Sequence, residues 1–198
     1  MKIILASASP RRRELLKQIG WEFTIQVSKV EEKITRVLAH EVVEELSAQK
    51  AEDVAEQIRT GAECAEELLV IGADTVVACE GQILGKPRDR EDMMRMLSML
   101  QGRDHFVYTG VTVIWMKQKE VIRRKTFHEA TKVQFYPMKP EEIASYADSL
   151  EPEGKAGSYA IQGLGARYIK GIEGDYNNVV GLPVGRLYQE VCAMRGEC

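Results

Sequence analysis

The segment Ser7-Ala8-Ser9-Pro10-Arg11-Arg12-Arg13-Glu14-Leu15-Leu16 places two serine hydroxyls and three guanidinium groups close together. Ile3 to Ala6 before it reads as a short buried strand, which Ser7 to Pro10 breaks. Ser9 then caps a helix with Pro10 at its first position, and Gly20 ends that helix. A strand turning into a helix N-terminus exposes backbone N–H groups and the positive end of the dipole, which suits an anion. Hydroxyls and guanidinium forks in the first turn add donors of the kind that phosphate takes. From the pattern alone, an ordinary capped helix with arginines on its wet face reads equally well. No G-x-x-x-x-G-K-[ST] loop occurs in the chain.

Asp74 lies inside the apolar run Val70-Ile71-Gly72-Ala73-Asp74-Thr75-Val76-Val77. A carboxylate in such a run is costly unless it is paired or binds a metal. A strand end where Asp74 caps a turn or faces solvent is the plain alternative. Gly72-Ala73 would let a ligand approach the backbone closely, which favours a functional carboxylate suited to magnesium or to activating water. Lys86, fixed between Gly85 and Pro87 in a loop after a hairpin, could serve as a point-charge phosphate ligand, though surface lysines are common. Glu32 and Lys50 sit among many like residues and stand out less. The glycines from Gly154 to Gly163 mark either a loop bringing backbone to a ligand or a tight crossover. Gln162 there carries an amide that donates and accepts, as reading a nucleobase edge requires, or that bonds its own loop. His105 and His128 are too far apart in sequence for a metal pair and read as strand residues. The methionines from Met93 to Met99 read as core packing.

The elements that must hold these residues alternate in type. Trp21 to Val27 reads as a strand, and His40 to Arg59 as a helix with Val42, Val43, Leu46 and Val54 at helical spacing. Leu68 to Cys79 is a long apolar run closed by a hairpin-like turn at Glu80-Gly81-Gln82. Asp89 to Leu100 predicts an amphipathic helix. His105 to Met116 and Glu120 to Phe135 predict strands joined near Lys117-Gln118-Lys119. Pro140 to Leu150 predicts a helix, Tyr168 to Ile172 a strand, and Leu182-Pro183 the start of a final helix. This alternation says α/β with a mixed sheet and a cleft. Without repeats or linkers, residues 1–198 are expected to form a single domain, or two halves packed closely.

Composition bounds the function. Hydrophobic residues at 44% and charged ones at 29% describe an ordinary globular chain, not a disordered one. Lys and Arg number 27 against 30 Asp and Glu, a net charge of −3, which argues against duplex nucleic acid as a partner. Residues 1–20 are locally basic; residues 31–67 carry eleven acids against four bases and read as the solvated face of a helix. Cys64, Cys79, Cys192 and Cys198 are scattered with no C-x-x-C pair, suggesting neither a zinc site nor a secreted disulfide framework. Met1 to Ala6 is too short an apolar run for a signal peptide, and no stretch approaches the ~20 apolar residues of a membrane span. The expectation is a cytoplasmic protein without a membrane partner.

Taken in order, Ser7 to Leu16, Ile71-Gly72-Ala73-Asp74-Thr75, Gly85-Lys86-Pro87, Lys155-Ala156-Gly157-Ser158-Tyr159-Ala160-Ile161-Gln162-Gly163 and Gly174-Asp175-Tyr176-Asn177-Asn178-Val179-Val180-Gly181-Leu182-Pro183 resemble the motifs of the Maf family of nucleoside triphosphate pyrophosphatases. The resemblance implies hydrolysis between the α and β phosphates, giving nucleoside monophosphate and pyrophosphate. It also implies a Maf/ITPase-like α/β fold, with a long curved mixed sheet flanked by helices and two lobes around a nucleotide-binding cleft. By the same resemblance Asp74 is the proton acceptor, and Glu32, Lys50 and Lys86 line the catalytic site. Ser7, Ser9, Arg12 and Arg13 fall in the phosphate-binding turn. Arg11, Thr75 and Gln162 match the trio that separates subclasses, and are similar to the branch acting on dTTP and UTP. The resemblance further implies Mg2+ or Mn2+ held by Glu32 and Asp74, and a homodimer. Its alternatives are a preference for 7-methyl-GTP or for modified pyrimidine nucleotides, and a regulator of cell division and septum formation acting through nucleotide binding. The segment between Lys50 and Asp74 is a few residues longer than the family pattern.

Overall fold

The computed structural model describes residues 1–61 and 66–197; Cys64 and Cys198 lie outside the described residues. Among the described residues seven strands form one mixed sheet: β1 (Lys2–Leu5), β2 (Phe23–Ile25), β3 (Glu67–Cys79), β4 (Gln82–Leu84), β5 (Asp104–Lys117), β6 (Glu120–Phe135) and β7 (Ile169–Glu173), in the order β2-β1-β3-β5-β6-β7 with β4 paired on β3. β1 runs parallel to β2 and β3, while β3–β4 and β6–β7 are antiparallel. The helices are α1 (Pro10–Gln18), α2 (Ala39–Thr60), α3 (Arg90–Leu100), α4 (Pro140–Asp148), α5 (Tyr176–Val180) and α6 (Val184–Arg195). This is the α/β class and mixed sheet that the alternation of elements predicts. The chain forms two compact units, one of Met1–Asp74, Thr109–Glu129 and Gly181–Cys198, the other of Thr75–Tyr108 and Ala130–Val180. Asp74 does not break its strand: β3 continues through it to Cys79.

In the first unit, the local signals hold. Ser9 caps α1, Pro10 stands at its start, and Gly20 follows it in the left-handed region at φ 74°. The parallel register of β1 on β3 pairs Leu5 with Ile71, and the Ala6 N–H then donates to the Ile71 carbonyl at 2.8 Å. That register carries the chain leaving β1 toward Asp74. α2 lays Val42, Val43, Leu46, Ala51 and Val54 on the sheet, one apolar stripe of a two-faced helix.

Gly72 corrects an expectation. The sequence reading gives its open space to a ligand, but α2 fills it. A Cβ there would clash with the Ser47 carbonyl oxygen and lie 2.8 Å from the Ala51 nitrogen. The close approach is made by helix backbone. Gly110 on β5 yields in the same way to the Val43 backbone, so two missing side chains seat α2.

In the second unit, Leu97, Leu100, Val107, Phe135, Tyr146 and Tyr159 build the core. His105 is buried there with Nε2 2.8 Å from the Tyr159 hydroxyl. Met93 and Met96 are on the buried face of α3 and Met94 and Met99 pack partly buried against the same core, the packing role expected of these methionines. The glycine-rich segment contains the 3-10 turn Ala156–Ser158 and is followed by a second, Leu164–Tyr168. α5 is too short to show any periodicity in the sequence. Cys79 and Cys192 are both buried free thiols, and no helix of the described residues is long and apolar enough to cross a membrane.

Candidate functional site

The turn between β1 and α1 is cross-braced by its own side chains. Ser7 is buried, and its Oγ accepts from the Ser9 N–H at 3.3 Å and from Arg12 Nη1 at 3.1 Å. Arg12 Nε donates to the Gly181 carbonyl at 2.8 Å. Arg13 folds back so that Nη2 donates to the Ala8 carbonyl at 3.2 Å. Two of the arginines that the sequence assigns to phosphate therefore also shape the turn. Burial holds the Arg12 guanidinium below its ordinary pKa and Arg11 adds to this, while the Asp74 and Glu32 carboxylates oppose it.

Those carboxylates converge on one ammonium. Lys50, one residue before the Ala51 that touches Gly72, brings Nζ to 2.5 Å from Asp74 Oδ1 and 3.0 Å from Glu32 Oε1. The Lys50 and Asp74 side chains are each only 16% exposed, so solvent screens their attraction weakly. Glu32 is 46% exposed and arrives on a strap without regular structure between β2 and α2. Glu32, Lys50, Asp74, Ser7, Ser9, Arg12 and Arg13 thus belong to one unit, where Lys50 pairs with both carboxylates and Arg12 feels their charge.

The remaining predicted residues are divided. Arg11 belongs to the first unit and is half-buried, and burial lowers its pKa. Thr75 opens the second unit on β3. Lys86 is exposed on the loop after β4, where the Gly85 carbonyl accepts from the Gly157 N–H at 3.1 Å, bringing the lysine loop beside the glycine-rich loop. Gln162 is exposed in that loop. Just past it, Glu151 accepts from the Leu164 N–H at 2.8 Å, the Gly165 N–H at 2.9 Å and the Tyr146 hydroxyl at 2.6 Å. Sequence reasoning passed over Glu151. Its signal is faint: one acid before a proline, with Asp148 and Glu153 close by.

The family model for Maf-like proteins matches residues 2–194. The chain belongs to the Maf family. Over 196 residues it is 56% identical to a dTTP/UTP pyrophosphatase of Agathobacter rectalis, covering 96% of both chains. Over 191 residues it is 54% identical to a dTTP/UTP pyrophosphatase of Carboxydothermus hydrogenoformans, covering 96% of this chain and 97% of that one. A solved nucleoside-triphosphatase / dITP/XTP pyrophosphatase from Mycobacterium abscessus aligns over 100% of this chain and 98% of its own, with a TM-score of 0.42 and 12% identity. Two motifs of the Maf resemblance, far apart in sequence, meet in the first unit through the bond from Arg12 to Gly181.

Proposed function

We propose that the protein is a nucleoside triphosphate pyrophosphatase that converts dTTP and UTP to the nucleoside monophosphate and pyrophosphate. The observation that carries this reading is the convergence of Asp74 and Glu32 on Lys50 with Arg12 in the same electrostatic field. The relatives at 56% and 54% identity support the substrate class. Free, buried Cys79 and Cys192 suit a reducing compartment such as the cytoplasm.

In the proposed reaction a water oxygen attacks the α phosphorus, the bond from that phosphorus to the bridging oxygen breaks, and pyrophosphate leaves. Asp74 accepts the water proton. Lys50 engages Oδ1, which fixes the carboxylate's orientation. Lys50, Arg12, Arg11 and Lys86 meet the negative charge of the phosphates, and the Ser7–Ser9 turn presents backbone donors. Arg11, Thr75 and Gln162 select the base, Gln162 through an amide able to donate and accept at a pyrimidine edge.

The donor set suits a divalent ion. Two carboxylate oxygens already converge on one cationic nitrogen, and Mg2+ takes one or two carboxylates and completes its shell with water and phosphate oxygens. Glu32 and Asp74 would hold Mg2+ or Mn2+, and the ion would neutralise phosphate charge.

The test is pyrophosphate release from dTTP, UTP, dCTP, ATP and 7-methyl-GTP with Mg2+, with Mn2+ and with EDTA. The expected result is metal-dependent release from dTTP and UTP with monophosphate as co-product, reduced about 10³-fold in a normally folded Asp74→Asn variant. Orthophosphate with nucleoside diphosphate would place the attack at the wrong phosphorus. Binding without turnover would favour a regulatory protein.

A further inference from the structure

The strap of residues 26–38 has neither helix nor strand, so its backbone donors need partners elsewhere. It finds them on α2 at every fourth residue, a spacing that puts side chains on one stripe. Asp53 Oδ2 accepts from the Ser28 hydroxyl and the Lys29 N–H, both at 2.8 Å. Gln49 pairs in both directions with Lys33, accepting its N–H at 3.0 Å and donating to its carbonyl at 2.7 Å. Glu45 accepts the Thr35 N–H at 2.9 Å and its hydroxyl at 2.5 Å. Glu32 stands between the grip at Lys29 and the grip at Lys33.

We infer that Glu45, Gln49 and Asp53 are positioning residues: they hold the strap along α2 so that the Glu32 carboxylate stays on Lys50. The inference rests on the reading of Glu32, Lys50 and Asp74 as the reacting site. Apolar burial does not do this work, because the strap turns its hydrophobic side chains outward: Ile34 is 62% exposed, Leu38 52% and Val37 83%. The electrostatics run the same way. The Thr35 donors hold the Glu45 carboxyl below its ordinary value. Desolvation pushes Asp53 upward, yet the donors of Ser28, Lys29 and Gln57 bring it below its ordinary value. By linkage, a carboxylate stabilised by the strap stabilises the strap in return.

The test uses the full chain with Gln49→Ala, Asp53→Ala and Asp53→Asn, each alone and combined with Glu32→Ala. Backbone amide exchange of residues 28–35 is followed without substrate, and kcat and KM are measured with dTTP. Loss of one grip is expected to speed that exchange about tenfold and lower kcat about fivefold. Asp53→Asn, which keeps an oxygen acceptor, should retain most of both. On the Glu32→Ala background Gln49→Ala and Asp53→Ala should lower kcat no further, because their effect passes through Glu32. Unchanged exchange, or losses that multiply with Glu32→Ala, would overturn the inference. The exchange measurement needs no turnover. A chain that hydrolysed no nucleotide would therefore sink the functional reading, while protection of residues 28–35 would still decide whether the stripe holds the strap.

Discussion

Lys50 Nζ and Asp74 Oδ1 meet at 2.5 Å because the helix and the strand that carry them touch backbone to backbone. Gly72, two residues before Asp74, leaves room for the Ser47 carbonyl and the Ala51 nitrogen, and Ala51 is the neighbour of Lys50. The ion pair is therefore a product of close packing on the sheet more than of the reach of a long side chain. Any lift of α2 would draw Lys50 away from Asp74 and carry the strap with it.

Gly72→Ala tests this directly. The added methyl would clash with the Ser47 carbonyl oxygen and sit 2.8 Å from the Ala51 nitrogen, both backbone atoms that cannot rotate away. Overpacking of this kind costs about 1–3 kcal/mol, and the shift of α2 should lower dTTP turnover about tenfold besides. Urea unfolding and steady-state kinetics on one preparation measure both effects. Normal stability with normal turnover would show that the helix seat can give without disturbing the pair.

Lys50→Met isolates the two carboxylates. Without the ammonium, Glu32 and Asp74 face each other across its place with like charge. The variant should lose turnover and melt at lower temperature in EDTA, and Mg2+ without nucleotide should restore more of its Tm than it adds to the wild type. Thermal unfolding with EDTA and with Mg2+ gives the comparison. Equal shifts in the two proteins would remove the assignment of a shared cation to Glu32 and Asp74.

What the sequence made legible follows from how local each signal is. Ser9, Pro10 and Gly20 announce both ends of α1 because caps act on their own backbone, and the Val42–Val54 spacing reveals α2 because its apolar stripe repeats. Asp74 stands out because a carboxylate in an apolar run needs an explanation. Lys50 and Glu32 do not stand out, since what distinguishes them is a meeting brought about by Gly72 and by the strap. Glu45, Gln49, Asp53 and Gln57 recur every fourth residue in plain view, yet they read as a solvated acidic face. Their partner is coil, which has no period to match.

His105 gives a pH signature independent of catalysis. It is 1% exposed, and burial lowers its pKa from 6.5 to about 4, with Asp104 opposing only in part. The unfolded chain therefore binds a proton that the folded chain refuses. The stability that His105 supplies is complete above pH 6.5 and is lost as pH falls toward 4, about 3 kcal/mol in all. Urea midpoints between pH 7.5 and 4 should show this loss in the wild type and a shallower one in His105→Gln. Parallel slopes would mean that His105 charges within the fold at no penalty.

Base selection should depend on a clamp that never touches the base. Glu151 ties the Leu164 and Gly165 N–H groups, and Tyr146 ties Glu151 while its hydroxyl accepts the Ala160 N–H at 3.1 Å. Gln162 lies between those anchors. Burial, and then the bond to Glu151, raise the Tyr146 pKa, so the hydroxyl stays protonated and keeps donating. Glu151→Gln would turn an amide N–H toward a backbone N–H and loosen the loop. Expected is a rise of about tenfold in KM for dTTP and UTP with a smaller change in kcat, and weaker rejection of dCTP and GTP. Gln162→Glu, which cannot donate to a pyrimidine carbonyl, should cut kcat/KM for both substrates about 10²-fold. If Glu151→Gln lowered kcat while leaving the dTTP-to-dCTP ratio intact, the clamp would not be acting through Gln162.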